Sequence, residues 1–434
     1  MKLFSIVTRP FYNLVFAKEQ QHHISFFSFL IVLLPIALIT GPALPDIIIS
    51  LIGIYFLIIS LLKKLSKYYK NYIVGFFFLF SLYSILRSLY SEFPLESFTN
   101  EGSVFYFRYI FFILGFWYLL DNNKYISKCL LIMIICCGSV VILDGFYQYF
   151  NGVNIFGNEK WSEHRLTGFF GNEPIVGRYI AYLAIIAFLI IYQIYDFSKL
   201  TTILSICLLV FAEIFVFFSG ERAPLFYLSF FSFLILIFIP KFKLYRLIGF
   251  AVSLLIILFI IQLNPKAKER MIDTTIQQIS STAVPVLPYS ELHERHYVSA
   301  LKMFDKQPFF GVGTNLFRYQ CNKIVFQYKP GSCTSHPHNI YIQILSELGL
   351  IGFMFLFSFF GYFLFTVTKQ FYYLIFKKDK KLISFRSLLP ILSLLVFWWP
   401  LIPHMSFYNN WNNVFLMIPL AYYFKFSFDK KELK

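Results

Sequence analysis

The chain has 434 residues, of which 58% are hydrophobic, 21% aromatic and only 14% charged, and its formal net charge is +16. Because a soluble domain has about 25% charged residues, this composition excludes an ordinary soluble protein. Apolar runs of about 17 residues or more, long enough to cross a bilayer, recur along the whole chain. We therefore predict an all-α polytopic membrane protein.

Twelve apolar runs are interpreted as membrane-spanning helices. The first lacks a small-residue cleavage site and is followed by GPALPD, so it is interpreted as a retained span and not as a signal peptide. Nine spans are predicted within residues 1–263, a long loop over 264–338, and three more spans within 339–434. The predicted spans are 24–40, 46–62, 72–90, 104–120, 126–150, 176–195, 200–218, 223–239, 247–263, 340–366, 387–400 and 412–428.

The positive charges are distributed unequally between alternate loops. Lys and Arg are concentrated in KKLSKYYK (63–70), PKFKLYR (240–246) and the segment 369–386. Cytoplasmic loops carry this excess, whereas long loops cross the membrane regardless of charge. We therefore expect both termini in the cytoplasm and residues 264–338 on the opposite side. The +16 charge is explained by this topology, and no basic patch with stacking aromatics indicates nucleic acid.

Five arginines are predicted at the outer ends of spans or in the adjoining outer loops. Arg87, Arg108 and Arg178 lie inside spans, Arg222 begins span eight, and Arg165 precedes span six. A charge within the hydrocarbon is costly, so intramembrane arginines are candidate functional residues. The planar guanidinium suits phosphate oxygens, so we predict a diphosphate-binding layer. Snorkelling to headgroups, or pairing with the intramembrane carboxylates Asp144, Glu213 and Glu347, is the alternative.

The long loop has internal structure. Helical spacing of apolar residues predicts helices within 266–279 and 294–308, followed by a tight turn over 311–317. Cys321 and Cys333 are twelve residues apart in this loop. In an oxidising compartment they can form a disulfide, which is worth about 3 kcal/mol in the chain-entropy model.

The segment CTSHPHNIYIQILSELGLIGF (333–353) places two histidines before an apolar run. Pro337 favours an extended His336, and Asn339 is a favoured helix N-cap. At a helix N-terminus the dipole favours a neutral His338 imidazole, the form that a general base requires. A capping or headgroup-contacting histidine is the alternative, and metal binding by His336 and His338 lacks a third ligand.

A polar stripe continues below this histidine. Asn339, Gln343, Ser346 and Glu347 recur at helical spacing, so this face is expected to point into the helix bundle. Glu347 lies about 13 Å below His338 at 1.5 Å per residue. We therefore expect Glu347 to hold a buried arginine rather than to contact His338.

Several motifs together resemble the bacterial O-antigen ligase and polymerase superfamily. The pattern H-N-x9-G-L-I-G is formed by His338, Asn339, Gly349 and Gly352, and it follows RLTGFFGNEPIVGRYI (165–180), SGERAPLF (219–226) and PFFGVGTNLF (308–317). The resemblance covers residues 160–360, and the expected topology matches the whole chain.

The resemblance implies an inner-membrane glycosyltransferase of the GT-C type that faces the periplasm and needs no metal or other cofactor. Its donor would be a glycan on undecaprenyl diphosphate, and its acceptor a sugar hydroxyl of the lipid A core or of another lipid-linked repeat. Arg222 and Arg165, with Arg178 or Arg108, would bind the diphosphate. His338 would act as base, while Asn339 and His336 orient it.

Three alternatives to an O-antigen ligase stay open at this point. The long loop, the histidine spacing and the twelve spans favour a ligase over a polymerase of lipid-linked repeats. A flippase would need charges near the bilayer midplane and internal repeats, and a structural membrane protein would not need an arginine layer. Gly349 and Gly352 are interpreted as structural, allowing span ten to pack closely against a neighbour.

Overall fold

The computed structural model describes residues 2–16, 21–99, 103–280, 290–376 and 383–428, and this part of the chain contains helices and no strands. The helices of the first half are α1 (Lys2–Phe16), α2 (His22–Ala37), α3 (Ala43–Leu62), α4 (Tyr72–Leu89), α5 (Pro94–Thr99), α6 (Ser103–Tyr106), α7 (Arg108–Asn122), α8 (Ile126–Asn151), α9 (Val176–Ile194) and α10 (Lys199–Ser219). Short 3-10 turns occur at Ser66–Tyr68 and Gly168–Phe170.

The second half continues the helical architecture. Its helices are α11 (Arg222–Phe238), α12 (Lys243–Leu263), α13 (Pro265–Lys268), α14 (Thr274–Ser280), α15 (Glu291–Lys306), α16 (Phe317–Gln320), α17 (Ile340–Phe376), α18 (Phe385–Phe397) and α19 (Asn410–Phe428). A π-helical turn, Glu269–Asp273, joins α13 to α14. The two helical segments predicted in the long loop are therefore confirmed as helical.

Helices occupy all twelve predicted spans, but they differ in length. Seven are long and apolar enough to cross a membrane (α3, α4, α8, α9, α10, α12 and α17), and α2, α11 and α18 are shorter apolar helices. An all-α membrane protein is thus supported, while the number of twelve spans and the sidedness of the long loop stay predictions. A shorter helix such as α18 has Pro390 inside it, which removes one backbone donor.

Helix α9 forms the centre of the bundle. Nearly all of it is buried, and it packs against α8, α10, α11 and α18. Helix α12, by contrast, is mostly exposed within the chain, as expected for a helix whose sides face lipid. The N-terminal end of α9 carries Arg178, so a charged residue lies at one end of the most buried helix.

Helix α17 is two helices joined at a break. Gly349 has φ 64° and ψ −164°, a backbone conformation that only glycine adopts readily. The segment 308–313 passes through the break: Val312 N–H donates to the Ser346 carbonyl at 3.0 Å, and Leu350 N–H donates to the Pro308 carbonyl at 2.8 Å. The terminal backbone groups of both half-helices are thereby satisfied inside the protein, which is the condition for irregular backbone at membrane depth.

Candidate active site

His338 lies in a turn immediately before α17. Its φ of 58° is left-handed, a conformation that is uncommon for a residue other than glycine and that clusters at functional sites. The His338 carbonyl accepts the N–H of His404 at 2.7 Å. The loop before α19 therefore holds the backbone of the predicted base in place.

Asn339 caps α17 as the sequence predicts. Its Oδ1 accepts the N–H groups of Tyr341 at 3.0 Å and Ile342 at 3.2 Å, which are donors left free at a helix start. Its Nδ2 donates to the Pro400 carbonyl at 2.8 Å. Asn339 thus fixes the backbone next to His338, and both polar atoms of its side-chain amide are already hydrogen-bonded to backbone groups.

Three imidazole rings gather around that of His338, and we name the four residues the histidine cluster: His293, His296, His336 and His338. The ring centroid of His338 is 4.2 Å from that of His336 and 5.5 Å from those of His293 and His296. Helix α15, which packs against α17, supplies His293 and His296. Sequence reasoning missed these two, although their spacing of three residues places them on one helix face.

The histidine cluster is held in the neutral state. Burial, followed by the three neighbouring histidines and Arg178, lowers the pKa of His338 to about 2. Burial is also the main cause that lowers the pKa of His336 and of His293 to about 4. An unprotonated imidazole can accept a proton, but an effective base has a pKa near the working pH, so His338 needs a neighbouring negative charge to raise its pKa before it can act as a base.

His404 is a further residue at this site that the sequence reasoning did not identify. It is buried, and neither ring nitrogen has a hydrogen-bond partner among the described residues. Burial, then the charge of Arg178, lowers its pKa to about 3. His404 lies outside residues 160–360, which carry the family resemblance, and only the folded chain brings its loop to His338.

Three of the five predicted arginines lie together, and we name Arg165, Arg178 and Arg222 the arginine cluster. Burial lowers the pKa of Arg165, Glu221 opposes that effect, and Arg178 adds to it. The backbone brings them together because Leu166 N–H donates to the Ser219 carbonyl at 3.2 Å, across the loop that precedes α11.

The guanidinium groups of the arginine cluster are only partly satisfied by the protein: Arg222 donates to Gln278 at 2.7 Å and Arg165 to the Pro174 carbonyl at 3.1 Å. Buried nitrogen atoms of all three side chains have no hydrogen-bond partner among the described residues: Nε of Arg165, Nε and Nη1 of Arg178, and Nε and Nη2 of Arg222. Asp144, Glu213 and Glu347 form no ion pair with them in the described ranges. Buried charged donors are normally paired, so this cluster is suited to a polyanionic ligand.

Glu221 and Arg270 extend the arginine cluster and were not predicted. Glu221 accepts the N–H of Gly177 at 2.5 Å, and burial raises its pKa to about 7 against the opposing effects of Arg178 and Arg165. Burial, then Arg222 and Arg165, lowers the pKa of Arg270 to about 10. Its Nε donates to the Gly220 carbonyl at 3.3 Å. Arg270 was overlooked because it lies in a loop helix rather than in a span.

A cavity of about 300 Å³ adjoins the arginine cluster. Its polar lining includes Lys160, His164, Lys266 and Arg270, and Tyr149 contributes an aromatic wall. Because Arg270 belongs to both, the cavity and the arginine cluster form one continuous cationic region.

Arg87 and Arg108 do not belong to this cationic region. Arg87 donates to the carbonyls of Phe310 at 2.8 Å and Gly311 at 2.6 Å. Arg108 pairs with Asp46 at 2.6 Å and donates to Asn410. The prediction that all five arginines form one layer is not supported by these contacts, because Arg87 donates to protein carbonyls and Arg108 is paired with a carboxylate, although Nε of Arg108 has no partner among the described residues.

The expectation that Glu347 holds a buried arginine is wrong. Its carboxylate accepts the backbone N–H groups of Asn315 and Phe317, both at 3.0 Å. Gln343 of the same stripe contacts Glu347 at 3.4 Å and donates to Ser406 at 3.1 Å. The stripe does face the interior, but it holds loops against α17 instead of neutralising charge.

The predicted structural glycines pack against a loop rather than against another span. A methyl group at Gly349 would collide with the backbone of Phe309, and one at Gly311 would collide with the backbone of Glu347. At Gly352 the nearest atom is Cβ of Leu348, on the other half-helix. The close approach predicted for these glycines therefore occurs at the helix break.

The two loop cysteines for which we predict a bridge are joined by a disulfide, with their Cα atoms 5.1 Å apart. The bridge ends three residues before His336, on the segment that carries the histidines. Within the described residues, no three His, Cys, Asp or Glu side chains are arranged to hold a metal ion.

A match to a known family covers part of this site, while Arg165, Arg178 and His404 lie outside the matched residues. Residues 204–357 match a family model described as O-antigen ligase, and this confirms the superfamily that the motifs indicate. The matched segment contains Arg222, Arg270 and the whole histidine cluster. A comparison with curated proteins finds no match.

Together, the apolar helices and the family match indicate a multi-pass membrane protein of the O-antigen ligase type. Such a protein is glycosyltransferase-like, takes part in lipopolysaccharide biosynthesis and uses lipid-linked glycans as substrates.

Proposed function

We propose that this protein is an O-antigen ligase-like glycosyltransferase of the inner membrane, with its active site at the periplasmic face. It moves a glycan from undecaprenyl diphosphate to a sugar hydroxyl of the lipid A core. The observation that carries the proposal is the proximity of two groups of residues: Arg178 and Arg222, which keep unpartnered nitrogen atoms, lie close enough to the histidine cluster to lower the pKa of His338 and of His293 respectively. The first suits a diphosphate leaving group and the second suits proton removal from an acceptor.

The donor diphosphate binds the arginine cluster. Arg165, Arg178 and Arg222 donate to its oxygens, with Arg270 closing the side that opens to the cavity. As the bond between the anomeric carbon and the diphosphate oxygen breaks, its electron pair remains on that oxygen. Fixed cationic donors stabilise charge that develops in the transition state.

The acceptor hydroxyl reacts at the other side of the anomeric carbon. His338 accepts the hydroxyl proton as the oxygen forms its bond to that carbon, and the resulting imidazolium later releases the proton to solvent. Arg178 lowers the proton affinity of His338, and a bound diphosphate would offset that effect. Donor binding therefore makes His338 a stronger base at the moment when the base is needed.

The test is lipopolysaccharide from a strain lacking this protein, compared by gel with strains that produce wild type, His338→Ala or His22→Ala. His22 is exposed at the start of α2 and serves as the matched histidine control. A bare core, with long polymer still on undecaprenyl diphosphate, is expected for the deletion and for His338→Ala. Normal transfer by His338→Ala at normal membrane level would refute the role of His338 as base.

The same gel separates ligase from polymerase. A core that carries one repeat, with only single repeats on the lipid carrier, would identify a polymerase and contradict the ligase proposal. The description of the matched family favours the ligase.

A further inference from the structure

His296 is the one member of the histidine cluster, among the described residues, whose hydrogen-bond partner determines its tautomer. Its Nδ1 lies 3.0 Å from the Ser332 carbonyl oxygen. A carbonyl only accepts hydrogen bonds, so Nδ1 carries the proton. In a neutral imidazole the other nitrogen, Nε2, is then an acceptor. Since His296 is only 3% exposed, this acceptor belongs to the protein interior.

The other two neighbours of His338 have no such constraint. His336 meets the Ser335 hydroxyl and His293 meets the Ser290 hydroxyl, both at 2.9 Å. A hydroxyl both donates and accepts, so either tautomer of these rings is compatible with its partner. Proximity alone would favour His336, whose ring is closest to His338. The His404 backbone raises the pKa of His336, but Nε2 of His336 makes no hydrogen bond of normal length among the described residues, whereas His296 has a backbone acceptor at 3.0 Å.

The Ser332 carbonyl that determines this tautomer is itself firmly placed. Arg295 donates to the Pro330 carbonyl at 2.8 Å, which anchors the same turn to α15. The Ser332 hydroxyl accepts the N–H of Lys329 at 2.8 Å. Cys333, the next residue, is bonded to Cys321. The turn 329–332 is thus held on both sides.

We propose that His296 is a positioning residue for His338: its Nε2 accepts a hydrogen bond from a ring N–H of His338. That bond selects the His338 tautomer whose other nitrogen is free to take the proton of the acceptor hydroxyl. The ring centroids are 5.5 Å apart, and hydrogen bonds of this kind commonly shorten when substrates bind. A base whose tautomer is selected by a third group is a recurrent arrangement in catalysis.

The proton balance is simple. The hydroxyl proton moves to the free nitrogen of His338, which becomes an imidazolium with two N–H groups. One of them donates to the neutral His296, so the new positive charge is partly stabilised, and no second proton transfer is required. Solvent then receives the proton from His338. This inference rests on the proposed function, because it assigns a partner to the base of that reaction.

The test compares four variants of the purified full-length protein in a transfer assay with a lipid-linked donor and a lipid A-core acceptor. His296→Asn retains a donor for the Ser332 carbonyl but is too short to reach His338. His296→Gln retains an acceptor near the position of Nε2. His296→Ala removes both, and Arg295→Gln loosens the same turn without touching His338.

We expect His296→Ala and His296→Asn to lower kcat by about 10- to 100-fold, the lower end of general-base contributions, with both KM values nearly unchanged. His296→Gln should recover most of that loss. In a His338→Ala background, His296→Ala should have no further effect, because residues that act as one unit are not additive.

Wild-type kcat for His296→Asn, or an equal loss of kcat in His296→Asn and Arg295→Gln, would overturn the inference. So would a loss confined to KM. Failure of the proposed function gives a different result: His338→Ala would then be active, regardless of the activity of the His296 variants.

Discussion

Two sets of arginines lie at the helix ends that the sequence assigns to one membrane face, and they differ in what surrounds them. Arg87 and Arg108 meet carbonyls, a carboxylate and an amide within the protein. Arg165, Arg178 and Arg222 retain buried nitrogen atoms without a described protein partner. A charge at a given depth is therefore not sufficient to indicate function. Arg108 also has one unpartnered nitrogen, Nε, so its ion pair with Asp46 is what separates it from the second set, which forms no ion pair among the described residues.

The largest effect should follow from Arg178→Gln, which removes a cation from the proposed diphosphate site. Loss of one transition-state donor lowers kcat by about 10²- to 10³-fold, measured in the transfer assay. The free energy of unfolding should not decrease much, because two nitrogen atoms of the side chain have no described partner to lose.

Arg108→Gln is the matched control for that experiment. It leaves Asp46 without its cationic partner, so the melting temperature should fall while transfer per folded molecule is retained. If Arg108→Gln lowered kcat as much as Arg178→Gln, the distinction between the two sets of arginines would fail.

Gly349→Ala tests the scaffold that surrounds Arg87. A left-handed φ and the collision with the Phe309 backbone should lower the free energy of unfolding by about 2–4 kcal/mol, from backbone strain and overpacking. Thermal melting in detergent measures this. Gly361→Ala in the same helix has no atom within 4 Å of the added methyl group and should be neutral or slightly stabilising. Equal melting of the two variants would contradict the break at Gly349.

A somewhat smaller effect is expected for Arg87→Ala. Its guanidinium fastens Phe310 and Gly311, the residues that enter the break in α17. Loss of charge-assisted hydrogen bonds at a partly exposed site should cost about 1.5–3 kcal/mol, measured by melting and by protease cleavage of the 307–311 segment. If Arg87→Ala had wild-type stability but no transfer activity, Arg87 would be a ligand-binding arginine and not a structural one.

The smallest effect concerns pH. Burial lowers the pKa of His293 and His336 from 6.5 to about 4, so the unfolded chain binds more protons than the folded chain between these values. Stability should therefore be greatest above pH 6.5 and should decrease as the pH falls toward 4. Melting followed by tryptophan fluorescence at pH 7.5 and pH 5 checks this. In His293→Ala the decrease should be smaller, and an identical decrease would contradict the contribution of His293.

Sequence reasoning identified much of the fold because apolar runs and turn residues are local signals. All twelve predicted spans coincide with helices. The Asn339 cap could be predicted because Asn is a favoured capping residue and it stands directly before an apolar run. The break in α17 could not be predicted, because residues 340–366 form one continuous apolar run. Gly349 was noticed, yet only the backbone of the 308–313 segment explains why a glycine is needed there.

The candidate site was predicted in part for the same reason. His338, His336 and three arginines were identified from motifs and from the cost of charge in hydrocarbon. His293 and His296 lie on a loop helix, and His404 lies beyond the matched motifs, so their approach to His338 depends on tertiary packing. Glu347 was misassigned because an acidic residue within a span suggests a cationic partner, whereas two backbone N–H groups satisfy it.

The break in α17 has a consequence for how this protein is anchored and assembled. Residues 350–376 are about 40 Å long at 1.5 Å per residue, sufficient to cross the hydrocarbon core without help. The nine residues 340–348 are therefore not needed to span the membrane. Their orientation is set by the loop segment 308–313, which hydrogen-bonds to both halves of α17. Membrane insertion of residues 350–376 and placement of His338 are then separable events in biogenesis, and the second depends on folding of the loop that precedes α17.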